Sequence, residues 1–183
     1  MLGVSFSEIE KFKPRILYSN IVELLFVEQE IGTLMSTNVF ELWTSDIPTK
    51  ILNQIILTKE IVKLIIVSPW ITPQRDEPLL EILCRRIRKE KINVIVITRT
   101  PQKKWHEKAV SMLQDAGARI YYNDYLHAKI VLVKTTNLDY GFFGTANLTY
   151  NANFTDDAVI FIKGKGEGKN IVERLTLYAY HLK

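Results

Sequence analysis

The sequence predicts an α/β fold in which a mixed, mostly parallel sheet is flanked by helices and preceded by a helical extension. From about residue 39 onward, short runs rich in β-branched residues alternate with segments of helical period. Three of these runs are apolar on both faces, which is typical of strands in the middle of a sheet. Strands that alternate with helices favour parallel pairing through crossovers, and the last strands are expected to be antiparallel.

Length and composition predict one main domain of ordinary globular type. The chain has 183 residues, of which 47% are hydrophobic and 24% charged. Its net charge of +4 permits nucleic-acid binding without requiring it. No apolar run is long enough to span a membrane, and the first residues lack the layout of a signal peptide. We therefore expect a cytoplasmic protein. Its single cysteine, Cys84, excludes an internal disulfide.

Two regions are predicted along the chain: an N-terminal helical extension at residues 1–37 and the main domain at residues 38–183. In the extension, Ser7 and Glu10 have the spacing of a capping box. A partial helical stripe then ends at Gly32. We expect one or two helices there, and the sequence does not indicate what they contact.

The first half of the main domain is predicted to contain a strand at 40–43, then a helix capped by Ser45 or Asp46. A buried strand at 62–67 follows. The prolines after it are expected to end the strand, because proline has no backbone N–H to donate to a neighbouring strand. Asp76 can cap the next helix, which runs to about residue 90.

The second half begins with a buried strand at 93–98. A helix opened by Thr100-Pro101 and closed by Gly117 comes next. The remaining predicted elements are a strand at 119–122, a buried strand from 127 to 133, strands that complete the sheet, and a final helix at 170–182. A flexible loop with three glycines precedes that helix and lacks the strand and helix of a phosphate-binding fingerprint.

Four polar side chains in the second half are expected to converge. His127 and Lys129 are two residues apart, so on a strand their side chains point the same way. By the same rule Thr145 and Asn147 share a face if their segment is extended. An imidazole, a cation, a hydroxyl and an amide are together the groups needed to hold and attack a phosphodiester.

These residues resemble the signature of the phospholipase D superfamily, in which His-x-Lys is followed by Gly-Ser-x-Asn or a close variant. His127 and Lys129 match the first part. Gly144, Thr145 and Asn147 match the second, with threonine in place of the usual serine. The resemblance covers residues 38–183 and is best to the small single-motif endonucleases of the superfamily.

Two positions depart from the pattern of that superfamily. Lys134 occupies a position that is usually acidic. Asp156 stands where a glutamate often precedes the following strand, and it is one methylene shorter. Asp156 could still hydrogen-bond the far nitrogen of a histidine and fix its tautomer.

The resemblance implies a metal-independent phosphodiesterase, in particular a nuclease that cleaves DNA or RNA through a phosphohistidine intermediate. His127 would be the nucleophile, and Lys129, Thr145 and Asn147 would bind the non-bridging phosphate oxygens. In the superfamily a second histidine protonates the leaving group, and this chain carries one motif. A homodimeric active site is therefore implied.

No cofactor or metal is expected. Asp156 and Asp157 are adjacent, so on a strand they point to opposite faces and cannot chelate one ion together. No His, Cys, Asp or Glu cluster at ligand spacing occurs elsewhere in the sequence.

Further candidates for substrate binding lie outside the four polar groups. Trp70, just after a buried strand, is either a core aromatic or a stacking platform at the rim of the site. The basic cluster near residue 88 is either a solvated helix face or a phosphate-binding surface. The predicted substrate-binding residues are Gly144, Trp70, Arg85, Arg86 and Arg88.

The other two histidines, His106 and His181, are expected on the surface of their helices. A non-catalytic module that binds nucleic acid or a phosphate ligand is the alternative function, favoured by the departures at Lys134 and Asp156. A lipid-hydrolysing enzyme is a weaker option, because no basic amphipathic helix with bulky apolar anchors is evident.

Overall fold

The computed structural model describes residues 39–73 and 78–183 of the chain. All the described helices and strands belong to one compact unit, Val39–Lys183. The predicted helical extension at residues 1–37 and the predicted cap Asp76 lie outside the described residues. Within the described part, no helix is long and apolar enough to cross a bilayer.

One seven-stranded sheet organises the described residues. Its strands are β1 (Phe40–Trp43), β2 (Ile61–Val67), β3 (Asn93–Thr98), β4 (Arg119–Tyr122), β5 (Ile130–Thr135), β6 (Tyr140–Gly144) and β7 (Val159–Lys163). Their order across the sheet is β1-β7-β6-β5-β2-β3-β4. The mixed α/β architecture predicted from the sequence is confirmed.

The sheet is less parallel than predicted. β2 pairs with β3 and β3 with β4 in parallel, and the other neighbouring pairs are antiparallel. Parallel neighbours need a crossover, usually through an α-helix. No α-helix separates β4 from β5, β5 from β6 or β6 from β7. The prediction of a mostly parallel sheet is corrected accordingly.

Helices cover both faces of the sheet. They are α1 (Ile47–Leu57), α2 (Leu79–Glu90), α3 (Lys104–Asp115) and α4 (Glu167–His181), with a short 3-10 helix at Tyr150–Asn153. Gly117 follows α3 with φ at +102°, a left-handed conformation that favours glycine, as the sequence predicts. Asp46 is the N-cap of α1, but its side chain makes no capping hydrogen bond.

Two apolar layers hold the fold together. On one face of the sheet, α1, α2 and α3 pack against it through side chains such as Leu52 and Leu83. On the other face, Val172 and Ala179 of α4 pack on the central strands. Burial on both sides explains why β2, β3 and β5 are apolar along both faces. Each fully buried leucine or isoleucine contributes about 1.5–3 kcal/mol to stability.

Several strands end or begin at one edge of the sheet, which we call the site edge. Val67, the end of β2, pairs with Ile130, the start of β5. Ile130 in turn pairs with Phe143 near the end of β6. Gly144 then pairs with Val159, the start of β7. The segments that follow β2 and β6 therefore lie beside the segments that precede β5 and β7.

Candidate active site

The predicted catalytic residues all lie in segments at the site edge. His127 and Lys129 precede β5. Thr145 and Asn147 follow β6, and Asp156 precedes β7. Because β5, β6 and β7 are neighbours in the sheet, segments that are far apart in sequence come together there.

The strand predicted to begin at His127 begins three residues later, at Ile130. Its partners explain the difference, because β2 stops before Pro69 and β6 stops at Gly144. One more hydrogen bond, from the Gly144 amide to the Lys129 carbonyl at 3.3 Å, extends the pairing beyond β5. The common facing of His127 and Lys129 was argued from a strand and stays a prediction.

Gly144 occupies a position where no larger residue fits. A Cβ atom there would lie 2.1 Å from the Ala158 carbonyl oxygen and 2.7 Å from the Val159 Cα. Both obstacles are backbone atoms, so the neighbouring chain would have to move. The glycine of the signature therefore lets β6 and β7 approach closely where the segments with the predicted catalytic residues leave the sheet.

Thr145 is fixed by a network to the segment before β7. Its hydroxyl donates to Asp157 Oδ1 at 2.7 Å and accepts from the Ala158 amide at 3.0 Å. Its own amide donates to the Ala158 carbonyl at 2.9 Å. The Thr155 hydroxyl donates to the other carboxylate oxygen of Asp157. The Thr145 side chain is thus held by a carboxylate, as a positioned group in a preorganised site would be.

Asp157 is a residue that sequence reasoning missed. The prediction favoured Asp156, which is exposed and has no hydrogen bond to His127 within the described residues. The orienting role of Asp156 stays a prediction. The sequence signal is the run from Thr155 to Asp157 just before β7, since Thr and Asp side chains commonly form local hydrogen bonds that fix a turn.

Lys129 is half-buried among charged neighbours. Burial is the main cause that lowers the pKa of Lys129 below its ordinary value, the Asp157 carboxylate raises it, and the Arg99 guanidinium lowers it further. Arg99 also donates from Nε to the Leu126 carbonyl at 2.9 Å, one residue before His127. Sequence reasoning gave Arg99 no role in the site, because nothing in its own segment indicates this long-range contact.

Asn147 has an amide oxygen that is buried and has no hydrogen-bond partner among the described residues. An unpaired buried acceptor costs about 1–3 kcal/mol, so this orientation of the amide is not stabilised by the chain itself. Its amide can rotate to present either the oxygen or the nitrogen. In the second orientation it would donate to a phosphate oxygen, as the signature implies.

The His127 side chain is exposed, and no hydrogen bond holds it within the described residues. An exposed imidazole at the site edge can reach a substrate that docks there. The geometry of the chain therefore brings Lys129, Thr145 and Asp157 into one network and leaves His127 at its solvent side.

Comparison with solved structures identifies the fold. Nuc from Salmonella typhimurium, a phospholipase D family member, aligns with a TM-score of 0.62 at 12% identity, over 78% of this chain and 92% of its own. NucT from Helicobacter pylori aligns with a TM-score of 0.55 at 14% identity, over 78% and 94%. This chain has a phospholipase D-like fold. No family model matches the sequence, and neither does any curated protein.

A third likeness is to TrmBL2, an archaeal chromatin protein whose structure shows a novel mode of DNA binding. It aligns with a TM-score of 0.51 at 9% identity, over 91% of this chain and 62% of its own. At these identities the three likenesses show the fold, and the chemistry has to be argued from this chain's own residues.

Lys134, which departs from the pattern of the superfamily, lies away from the predicted catalytic residues. Lys134 is five residues along β5 from Lys129, which is about 17 Å at the rise of a strand. There it forms an ion pair with Asp139, with Nζ 3.8 Å from Oδ2. A cation at this distance does not touch a phosphate bound at the site edge.

His106 is buried, and the expectation of a surface histidine was wrong. It is 0% exposed, and its Nε2 lies 2.9 Å from the Thr98 hydroxyl. Its Nδ1 has no partner among the described residues, and burial lowers its pKa. The reason is that α3 begins at Lys104, which turns His106 to the inner face with Ala109 and Leu113. His181 is exposed, as predicted.

The three arginines of the basic cluster on α2 differ in their contacts. Arg86 donates from Nη1 to the carbonyls of Ile55 and Ile56, both at 2.8 Å, and from Nε to Glu90. These hydrogen bonds tie the Arg86 side chain, on α2, to the C-terminal end of α1. Arg86 is therefore not part of the proposed substrate site. Arg85 and Arg88 are exposed, and their phosphate-binding role stays a prediction.

Trp70 lines a groove of about 810 Å³ at the site edge, together with Asn147. The side chains of His127 and Lys129 are outside the lining of this groove, so the groove is adjacent to the network and not the whole site. Among the described residues, no group of three His, Cys, Asp or Glu side chains could hold a metal ion.

Proposed function

We propose that this chain is a metal-independent phosphodiesterase, in particular a nuclease that cleaves DNA or RNA through a phosphohistidine on His127. One observation carries the proposal. The two halves of the signature lie in different segments, and the hydrogen bond from the Gly144 amide to the Lys129 carbonyl joins those segments. β5 and β6 form a hairpin whose register puts both halves of the signature at the site edge, where one phosphate could contact both.

The chemistry proceeds in two displacements. A neutral ring nitrogen of His127 attacks phosphorus, the N–P bond forms and the P–O bond to the leaving group breaks. A protonated second histidine donates its proton to the leaving oxygen. Water then attacks phosphorus, the freed histidine takes up the water proton, and the N–P bond breaks to regenerate His127.

The neighbouring groups stabilise the negative charge on the non-bridging phosphate oxygens in the transition state. Lys129 supplies a fixed cation, and Asn147 supplies an amide whose acceptor is unpaired among the described residues. Asp157 accepts a hydrogen bond from the Thr145 hydroxyl at 2.7 Å, so Thr145 has no proton left for a phosphate oxygen, and the pair instead positions the segment that follows β6. Asp156 remains the proposed partner of a histidine nitrogen.

The second histidine is proposed to come from another copy of the chain. Within the described residues, His106 is buried against Thr98 and cannot reach a leaving group. In a two-fold dimer His127 of one protomer would face His127 of its partner across a shared phosphate. Such a pair would act with one ring neutral, to attack phosphorus, and the other protonated, to donate to the leaving oxygen.

A non-catalytic nucleic-acid binding module is the second candidate. It is favoured by His127, which no hydrogen bond orients within the described residues. The likeness to TrmBL2, a chromatin protein for which DNA binding is described, is compatible with it.

One assay tests both candidates. Labelled single-stranded and duplex DNA and RNA are incubated with the wild type and with His127→Ala, each in excess EDTA. We expect cleavage by the wild type and a loss of at least about 1000-fold in the variant. His181→Ala is the matched control and should cleave normally. Cleavage that vanishes in EDTA and returns with Mg²⁺ would contradict the mechanism, and binding without any cleavage would favour the second candidate.

A further inference from the structure

The groove beside the catalytic network has walls of aromatic side chains. Its volume of about 810 Å³ is in the range of sites that bind small ligands. Trp70 and Trp105 line it, and so do Tyr150 and Asn147. The groove thus runs up to Asn147, one of the predicted phosphate-binding residues, and the two displacements at His127 do not account for its aromatic side chains.

The two tryptophans are held in place. Their ring centroids are 6.0 Å apart at 63°, an edge-to-face arrangement. The His106 ring lies 5.3 Å from Trp70 at 67°, and the Arg99 guanidinium lies 5.6 Å from its centroid. Trp105 nevertheless remains 44% exposed. A large aromatic surface that is both fixed and open to solvent is suited to stacking, because little side-chain entropy is lost on binding.

The charge around the groove favours an anion. Lys103 and Lys108 contribute to its lining. α3 begins at Lys104, so the positive end of its dipole lies at the same rim. Glu81 is the acidic residue of the lining, and it lies 3.8 Å from Arg85, which offsets its charge. Aromatic faces interleaved with cations are the combination that binds single-stranded nucleic acid.

We propose that this groove binds a short run of unpaired nucleotides, with bases stacked on Trp105 and Trp70 and phosphates near Lys103 and Lys108. The inference rests on the proposed function and specifies its substrate as a single strand. In a duplex both faces of each base are covered by its neighbours, so only unpaired bases can use the two tryptophans. The strand would then continue past Asn147 to the reacting phosphate.

The test is an equilibrium binding measurement on the full chain, separate from any cleavage assay. His127→Ala is used in EDTA as the parent so that the probes stay intact. Fluorescence anisotropy is recorded with four short labelled probes: single-stranded DNA, single-stranded RNA, a duplex of the same sequence, and a single strand of abasic sites.

We expect Trp105→Ala to weaken binding of both base-containing single strands by about 5- to 150-fold, the range found for one stacked base. Binding of the abasic strand and of the duplex should not change, since neither offers a base face to Trp105. Trp105→Phe should retain most of the affinity, whereas Trp105→Leu, which keeps apolar volume without an aromatic face, should not. The control Tyr178→Ala removes an exposed aromatic from α4 and should change nothing.

Two results would overturn the inference: unchanged affinity of Trp105→Ala and Trp105→Leu for the single strands, or an equal loss for the abasic strand. Comparison of Trp105→Phe with Trp105→Leu keeps the test valid if the alanine variant does not fold. The failures of the two proposals are distinguishable. If wild type cleaves no phosphodiester but Trp105 still selects unpaired bases, the nuclease proposal fails and the groove assignment stands.

Discussion

At the scale of single residues, two adjacent carboxylates have different surroundings. Asp157 accepts hydrogen bonds from Thr145 and Thr155 and raises the pKa of Lys129, while Asp156 is exposed. Which of them serves the site was not predictable from the sequence. The direction of each side chain depends on the backbone just before β7, and the Thr145 segment fixes that backbone from across the sheet.

We therefore predict that Asp157→Asn lowers kcat/KM by about 100-fold, because a misplaced Thr145 disturbs the phosphate geometry. Loss of the carboxylate also removes an attraction that raises the pKa of Lys129. If protonated Lys129 is required, activity is lost as pH rises through the pKa of Lys129. This alkaline limb of the pH profile should move to lower pH in the variant. The pH dependence of kcat/KM checks this.

Asp156→Asn is the matched comparison for that experiment. A larger loss in Asp156→Asn than in Asp157→Asn, with the alkaline limb unmoved in both, would return the positioning role to Asp156.

His106 gives a prediction about stability. Burial lowers its pKa in the folded chain, so between that pKa and about 6.5 the unfolded chain binds more protons. Stability contributed by neutral His106 is thus present above about pH 6.5 and is lost as pH falls towards the folded pKa. Urea unfolding should show this acid loss, at up to about 1.4 kcal/mol per pH unit, and His106→Gln should reduce it. His181→Gln, at an exposed site, should keep the wild-type dependence.

At the scale of elements, α2 has a structural and a solvent-exposed part. Arg86 satisfies two carbonyls at the C-terminal end of α1, where helices leave acceptors without partners. Arg86→Ala should therefore lower the free energy of unfolding by about 1.5–3 kcal/mol. Arg85→Ala should change it by less than about 0.5 kcal/mol, since its side chain is 72% exposed and its ion pair is long. Equal effects of the two substitutions in urea unfolding would contradict the distinction.

The exposed part of α2 can still contribute to nucleic-acid affinity. Charge reversal at Arg85 and Arg88 should reduce the dependence of log K on log salt by about 0.7–0.9 for each phosphate that these arginines no longer neutralise. Titrations at several salt concentrations measure that slope. If both the slope and the affinity are unchanged, the α2 cluster is a solvated helix face.

At the scale of the whole molecule, the sheet was predictable because the local sequences of β2, β3 and β5 are apolar at successive positions. Such runs indicate strands that are buried on both faces. The pairing directions were not predictable, because they depend on which connections contain a helix. The signature residues could likewise be found, since motifs are local. Arg86 could not be placed, because its partners at the end of α1 are about 30 residues away in the chain.

The proposed homodimeric active site gives the last prediction. If His127 of each protomer contributes to one shared site, a mixed dimer of wild type and His127→Ala is inactive. After subunit exchange, an equal mixture should have about a quarter of the activity of the same total amount of wild type. The reason is that random pairing makes about one dimer in four fully wild type. Independent sites would retain about half, and so would contradict the shared site.

The turn at 136–139 between β5 and β6 lies at the edge of the sheet opposite the site edge. The length of β5 separates it from Lys129 by about 20 Å. It is therefore a practical point of attachment for a fluorophore, an affinity tag or an inserted reporter domain. A cysteine introduced at the exposed Leu138 could be labelled selectively, because the native Cys84 is buried. A dye there would report the proposed assembly of two chains without obstructing either the groove or the proposed catalytic residues.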